Sequence, residues 1–389
     1  MLHHRFTDWL ETHWVTPAYS GWLMGGLAIF FFGAATNTMA GWLYVISGVI
    51  LALLVVAAIL PDRSLRGIQI HRQPIAPISV GESITIRVML ENQTSQVKTL
   101  LEVQDRLPAE LSSPVKRSIE VISPHETYRW VYQQLGDRRG IYRWHTVFLR
   151  TASPLGLFWC RRSQAVKAMA VVYPTVLPLS QCPLVDEMGQ DVNTQVLSHS
   201  QSHAATEGLT RTLRPYRWGD SIRLVHWRTS ARYGELRVRE LETYSGGQEL
   251  VVSLDSAATW ESDNFEQAVV AAASLYFYAL RHSLRVSLWT ARTGAVRGDR
   301  LVLETLAETQ FGEESLSPRL PELPLLWLTQ NPESIHTFPQ GSRWLLWLQP
   351  ASASGRSSAN TVPNSNYPGL FIQPDHPLQL QLQSLTEVY

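Results

Sequence analysis

The chain has 389 residues and carries charge on only 17% of them, below the roughly 25% of ordinary soluble domains. This length predicts two or three domains. Lysine and arginine total 33, as do aspartate and glutamate, and the resulting near-zero net charge argues against nucleic-acid binding by the chain as a whole. Two cysteines are too few for a disulfide scaffold.

An uncharged stretch near the N-terminus predicts a membrane segment over residues 1–68. Residues 12–61 contain no Asp, Glu, Lys or Arg, whereas about 20 apolar residues suffice to cross a bilayer. The polar triplet at 36–38 interrupts the run, so we predict two transmembrane helices, at about 19–35 and 39–60. A buried hairpin of a soluble protein and a cleavable signal peptide are the alternatives.

The distribution of charge around this hairpin predicts its orientation. Arg63, Arg66 and Arg72 follow the second helix, while the turn between the helices carries no charge. Positive residues favour the cytoplasmic side of a membrane. We therefore expect a multi-pass protein of the cell membrane with two spans and both termini in the cytoplasm.

Residues 69–173 show the alternation of short, half-buried strands. Polar and apolar side chains alternate over 83–88 and, less regularly, over 143–149. Turn signals separate such runs. We predict a β-sandwich-like module that serves as a spacer or an interaction surface.

Residues 174–245 contain an arginine-rich segment. Eight of the thirty residues at 211–240 are arginine. Asp220 is placed to cap a helix, Val225 continues it at helical spacing, and Gly234 is placed to end it.

One string within this segment consists of Tyr216, Gly219, Asp220, Arg223, Trp227, Ser230, Ala231 and Arg232. This string resembles the signature of the family known as domain of unknown function 58. Further similarity lies upstream, at 138–142 and 153–158. The resemblance implies a membrane-anchored protein with a C-terminal part similar to a von Willebrand factor type A domain, and a functional association with MoxR-type AAA+ ATPases. Because the family has no defined activity, no catalytic residue is carried over.

Three roles suit these residues. In a structural network, Asp220 caps a helix and pairs with Arg223 while Trp227 packs beneath. In a docking surface, arginine forks bind the carboxylates of an acidic partner. Nucleic-acid binding through arginine and aromatic stacking is a third option, which the near-neutral charge disfavours.

Residues 246–389 alternate strands with helices. A buried strand over 249–254 ends in Asp255, and apolar helical and strand patterns follow. This alternation predicts an α/β domain with a mostly parallel sheet, in which ligands bind at the carboxyl ends of strands.

The residues after this strand resemble the metal-binding string of type A domains, Asp-x-Ser-x-Ser. The candidate ligands are Asp255, Ser256 and Thr259, but Ala257 replaces the middle oxygen. Mg²⁺ prefers near-octahedral oxygen coordination, so we expect either a weak Mg²⁺ site or a degenerate one used for packing or partner contact.

The sequence shows no glycine-rich phosphate loop, no Gly-x-Ser-x-Gly elbow and no cysteine with a plausible histidine partner. We therefore favour a non-enzymatic membrane scaffold or adaptor without a cofactor. A divalent-metal-dependent binding module and an enzyme of unknown class are the alternatives.

Overall fold

The computed structural model describes residues 14–188, 210–216, 225–241, 249–316, 320–335, 338–348, 367–373 and 375–384. The chain forms two compact units, Met1–Tyr173 and Pro174–Tyr389.

The N-terminal unit begins with a helical hairpin. Helices α1 (Tyr19–Thr38) and α2 (Gly41–Leu65) are both long and apolar enough to cross a membrane. They meet through small side chains, and the buried Ser47 hydroxyl of α2 donates to the Ala28 carbonyl of α1 at 2.9 Å. Large apolar side chains elsewhere on the hairpin are exposed, among them Leu23, Ile29, Phe30, Val45, Val49 and Val55.

The turn of the hairpin lies later than the sequence predicted. Thr36 and Thr38 remain helical, and their hydroxyls donate to backbone carbonyls one turn earlier, at 2.7 and 2.8 Å, so neither polar side chain lacks a partner. The chain instead reverses at Met39, which adopts the left-handed conformation with φ 53°. The second helix likewise continues past residue 60, through Pro61, to Leu65.

The rest of this unit consists of two sheets that share one hydrophobic core. One sheet has the order β1-β9-β8-β5-β6 with β3 added to β9, and the other has the order β2-β4-β7. All pairings are antiparallel except that of β3 with β9. The strands are β1 (Val15–Pro17), β2 (Ile68–Arg72), β3 (Ile78–Ser79), β4 (Ser83–Asn92), β5 (Lys98–Asp105), β6 (Val115–Ile122), β7 (Thr127–Leu135), β8 (Gly140–Thr151) and β9 (Phe158–Tyr173).

Strand β4 shows how the alternating pattern builds this core. Its apolar residues Ile84, Ile86, Val88 and Leu90 are fully buried, and the residues between them are exposed or half-buried. Successive side chains of a strand point to opposite faces, which explains why the sequence revealed these strands.

A buried ion pair lies in the same core. The guanidinium of Arg72 bonds to the carboxylate of Asp105, and both side chains are almost wholly buried. The carboxylate also accepts hydrogen bonds from the Tyr132 hydroxyl at 2.7 Å and the Trp144 indole N–H at 3.1 Å. The network joins strands of both sheets, and nothing in the local sequence pattern predicted it.

The C-terminal unit contains a six-stranded sheet with the order β14-β13-β12-β15-β16-β17. The prediction of a mostly parallel sheet holds except at one edge, where β14 runs antiparallel to β13. Helices α4, α5 and α6 accompany it. The elements are β12 (Glu249–Leu254), α4 (Ser262–Arg281), β13 (Arg285–Thr290), β14 (Gly294–Val296), α5 (Asp299–Glu308), β15 (Leu325–Thr329), β16 (Arg343–Trp347), β17 (Gly369–Ile372) and α6 (Leu378–Gln383).

Both faces of the central strands are buried, which explains their continuous apolar runs. One face packs on α4 through side chains such as Phe265 and Tyr278. Residues 179–188, which precede the arginine-rich stretch, contribute Leu179, Cys182 and Met188 to this same core.

A separate two-stranded hairpin precedes the sheet. Strand β10 (Thr210–Pro215) pairs with β11 (Arg237–Leu241), and the short helix α3 (Trp227–Tyr233) lies between them in the chain. The hairpin therefore carries the arginine-rich segment.

Candidate functional site

The strand order of the six-stranded sheet identifies one place where ligands commonly bind. From β12 the chain moves outward to β13 and β14 on one side, and then from β15 to β17 on the other. The order thus reverses between β12 and β15. In open α/β sheets the crevice beyond the carboxyl ends of strands at such a reversal is the usual binding site.

Asp255 lies at this reversal, directly after β12, and is 8% exposed. Its carboxylate accepts a hydrogen bond from the hydroxyl of Thr329, the last residue of β15, at 2.8 Å. Its backbone N–H donates to the Leu328 carbonyl at 3.0 Å, and its carbonyl accepts from the Trp260 indole at 2.7 Å. Asp255 therefore connects the ends of two neighbouring strands.

Burial raises the pKa of the Asp255 carboxyl, because removal from water disfavours its charged form. Hydrogen bonds from Thr329, Ser334 and the backbone N–H of Ala258 act in the opposite direction but do not cancel this effect. A carboxyl in this environment keeps its proton to a higher pH than a free aspartate does.

The three predicted metal ligands are arranged for other contacts. The Asp255 carboxylate is bonded to protein hydroxyls. The Ser256 hydroxyl is fully buried and accepts from the Ala291 amide at 3.1 Å, and Thr259 is exposed. No group of three or more His, Cys, Asp or Glu that could hold a metal occurs in the described part of the chain. Two of the three predicted ligands are thus engaged by protein groups, and a Mg²⁺ ion here would need further oxygen ligands to complete its octahedron.

Sequence reasoning missed the residues that meet Asp255 from β15. Besides Thr329, the end of this strand brings Gln330, whose side-chain carbonyl accepts from the Glu261 amide at 2.8 Å. The Gln330 side-chain nitrogen is buried and has no hydrogen-bond partner among the described residues. The signal was available, because polar residues directly follow the apolar run of β15, but only the strand order shows that they adjoin Asp255.

The signature segment forms a second candidate site, held together by backbone and hydroxyl contacts. The buried Ser230 hydroxyl of α3 accepts from the Arg237 amide at 2.9 Å. The Tyr216 amide donates to the Leu236 carbonyl at 2.8 Å. The His226 ring nitrogen accepts from the Thr229 amide and so caps α3.

Two features of this segment differ from the prediction. The helix begins at Trp227, and Val225 instead forms an isolated antiparallel bridge with Val238, so its helical spacing was misleading. Trp227 is 62% exposed rather than packed beneath a network. The predicted helix end is confirmed, since Gly234 adopts the left-handed conformation with φ 72°. The remaining signature positions, Gly219, Asp220 and Arg223, lie outside the described residues.

The outer surface of α3 is rich in arginine and aromatic side chains. Ser230 is the one buried residue of the helix, while Arg228, Ala231 and Arg232 are exposed. Tyr233 and Leu236 are also exposed, by 59% and 45%. We call Trp227, Arg228, Arg232, Tyr233 and Leu236 the α3 ridge.

The comparisons with known proteins match this part of the chain. A family described as "Protein of unknown function DUF58" matches residues 212–300, which include the ridge and the first strand and helix of the large sheet. The "Uncharacterized protein YeaD" of Bacillus subtilis (strain 168) is 25% identical over 240 residues, 60% of this chain and 58% of that protein. The chain thus spans less than two thirds of this relative.

Solved structures give no strong likeness. The CARDB domain of PF1109 from Pyrococcus furiosus is 9% identical, covers 26% of this chain and 94% of that domain, and has a TM-score of 0.19. An exo-β-N-acetylglucosaminidase of Vibrio harveyi is 8% identical over 67% of this chain and 57% of that one, also with a TM-score of 0.19. Scores this low carry no inference about fold or activity.

Proposed function

We propose that this chain is a non-enzymatic scaffold, anchored in the cell membrane by α1 and α2, which presents its C-terminal unit to a protein partner. The exposed apolar side chains of the hairpin support the anchor, because a soluble protein would bury them. The partner suggested by the family resemblance is a MoxR-type AAA+ ATPase.

The resemblance to a von Willebrand factor type A domain belongs to this proposal. Five parallel strands support it, with α4 between β12 and β13, α5 before β15, and Asp255 directly after the central strand β12. The ion-dependent binding of such domains is not part of the proposal, since the Asp255 carboxyl is occupied by hydroxyl donors.

The observation that carries the docking proposal is the exposure of the α3 ridge. Tryptophan, tyrosine and arginine are enriched among the residues that dominate binding at protein interfaces, and here all three types are exposed within the short segment 227–233. Glu235, the acidic residue beside the ridge, already pairs with Arg237 at 2.9 Å. The exposed Arg228 and Arg232 therefore favour an acidic partner surface.

Affinity capture of the tagged, full-length protein in detergent from its native membranes tests this proposal. We expect an AAA+ ATPase to copurify with the wild type, and Arg228→Glu or Trp227→Ser to weaken its binding by about thirtyfold, because truncating an interface anchor costs about 2 kcal/mol or more. Arg292→Glu is the matched control, since Arg292 is an exposed arginine of the same unit.

Equal recovery with all variants would place the contact elsewhere. If no ATPase is recovered with any of them, the proposed partner is wrong.

We further propose that the C-terminal unit lies in the cytoplasm. Arg63 and Arg66 at the end of α2 support this orientation, whereas Arg72 contributes less because it is neutralised by Asp105 in the core. A protease added outside intact cells should leave a C-terminal tag uncleaved and cleave it after lysis. Cleavage in intact cells would show that the C-terminal unit lies outside the cytoplasm and that the proposed orientation is wrong.

A further inference from the structure

The hairpin and the β-sheets of the N-terminal unit are joined where the helices would leave the membrane. Strand β1, directly before α1, pairs with the start of β9. The Ala18 amide donates to the Leu157 carbonyl at 2.8 Å, and the Ser20 hydroxyl donates to the Gly156 carbonyl at 2.9 Å. A side chain at Gly21 would come within 2.3 Å of the Leu157 carbonyl oxygen, so the contact requires glycine. The sheets are therefore held against the first turn of α1.

This contact sets the height of the sheets relative to a bilayer. Helix α1 has 20 residues, which at about 1.5 Å per residue span about 30 Å, the thickness of the hydrocarbon layer. Its first turn then lies at the layer's edge, together with the exposed Tyr19 and Trp22, whose rings favour the headgroup level. Helix α2 has 25 residues, five more than α1, so across the short turn its end reaches about 8 Å past that edge, into the headgroup region.

Positive charge collects at this level. The Asp62 carboxylate near the end of α2 is shared by two guanidiniums, those of Arg66 at 2.7 Å and Arg162 at 2.6 Å. Arg63 is exposed and has no ion-pair partner in the described part of the chain. Lys98 is only 3% exposed, and its ammonium donates to the Arg66 carbonyl at 2.9 Å rather than to a carboxylate.

The nearby carboxylates Asp62, Glu91 and Glu126 offset this charge only in part, because they are fewer than the four cations Arg63, Arg66, Lys98 and Arg162. Glu91 faces His71 at 3.9 Å, and Glu126 accepts from the Ser123 amide at 2.8 Å. A buried ammonium without a carboxylate partner is costly, so Lys98 creates a positive potential that a surface anion would relieve. Arg63 and Arg66, on the surface beside it, can reach such an anion.

We infer that Arg63, Arg66 and Lys98 form a binding site for the phosphate of an anionic phospholipid. This site rests on the proposed membrane anchoring. Headgroup phosphates are attracted to basic residues next to a membrane span. Each such residue changes the affinity for anionic lipid by about fivefold. The site would bind the sheets, through their fixed contact with α1, to the leaflet that contains anionic lipid.

Lipid exchange around the full-length protein tests the inference. The protein is reconstituted in bilayers containing brominated phosphatidylglycerol or brominated phosphatidylcholine, and quenching of tryptophan fluorescence reports which lipid contacts the interfacial tryptophans. We expect the wild type to prefer phosphatidylglycerol. Arg63→Gln and Lys98→Met should each weaken this preference by about fivefold, and high salt should weaken it in the wild type.

Arg87→Gln is the matched control. Arg87 is an exposed arginine of β4. At the membrane-side end of β2, Ile68 pairs with Asn92 of β4, and Arg87 lies five residues along the strand from Asn92. It should thus lie about 16 Å farther from the helices, and the variant should keep the wild-type preference. Because Arg63 is exposed, its replacement tests the site even if Lys98→Met fails to fold.

The outcomes separate the two proposals. Quenching by both lipids with no preference, or a preference that Arg63→Gln leaves unchanged, overturns the lipid site while leaving the anchor intact. A preference abolished by free inorganic phosphate would assign the site to a small anion and overturn the lipid. Absence of quenching by either lipid would overturn the membrane anchor, and the lipid site with it.

Discussion

Replacement of Arg72 by methionine should destabilise the N-terminal unit by about 3–5 kcal/mol. The change leaves the Asp105 carboxylate buried and charged, with the Tyr132 and Trp144 hydrogen bonds as its remaining support. Removal of one partner from a buried ion pair costs this much because the other charge is left uncompensated. Asp105→Leu should cost a similar amount, because it leaves the Arg72 guanidinium buried without its carboxylate partner.

The double variant Arg72→Met with Asp105→Leu should recover most of the loss. Replacing a buried pair by apolar side chains removes both desolvation penalties and is often neutral or stabilising. Hydrogen exchange of the full-length protein, followed by mass spectrometry of peptides from β4 and β8, gives the free energy of opening of this core. A double variant as unstable as either single one would show that the pair is needed for more than charge balance.

The pH dependence of the single variant provides a further check. Without Arg72, burial should hold the pKa of Asp105 above its unfolded value. A raised folded pKa stabilises the protein below the unfolded pKa, and this stability is lost as the pH rises through the folded one. The deficit of Arg72→Met should therefore be smallest in acid. If the loss of stability in Arg72→Met is instead independent of pH, its cause is lost packing and not the uncompensated charge.

Replacement of Asp255 by alanine should destabilise the C-terminal unit by about 1–3 kcal/mol. The change removes the nearer acceptor of the fully buried Thr329 hydroxyl, at 2.8 Å, and leaves it only the Asn331 carbonyl at 3.4 Å, so much of the desolvation cost of this donor is no longer offset. Asp255→Asn keeps an acceptor oxygen and should cost less. Hydrogen exchange of peptides covering β12 and β15 measures both changes, with Asp263→Asn, at an exposed carboxylate of α4, as the control.

The raised pKa of Asp255 makes this contribution depend on pH. The wild type should gain stability relative to Asp255→Asn as the pH falls through the folded pKa toward 3.8, because the neutral carboxyl is the favoured buried form. Addition of Mg²⁺ should not change the exchange of either protein. Protection by Mg²⁺ in the wild type that Asp255→Ala abolishes would instead establish an ion site.

Affinity capture with the Asp255→Ala and Trp227→Ser variants decides between the scaffold and the metal-dependent module. A scaffold that docks through the α3 ridge should keep its partner in Asp255→Ala and lose it in Trp227→Ser. The reverse result would move the interaction to the strand ends, where Thr329 and Gln330 adjoin Asp255.

The sequence by itself determined the features that depend on local periodicity. The uncharged run produced two helices, alternation produced strands such as β4, and the apolar run of β12 produced a buried strand followed by Asp255. These patterns can be recognised in the sequence because side chains return to the same face every 3.6 residues in a helix and every two residues in a strand. The end of the helix at Gly234 could also be predicted from the local sequence.

Only the tertiary structure decided which distant groups meet. Arg72 and Asp105 lie 33 residues apart, and Asp255 and Thr329 lie 74 apart. No fixed spacing encodes such pairs, because loops of different length can bring the same strands together. The exposure of Trp227 was also undetermined, since an apolar side chain shows its burial only when the surfaces packed around it are known.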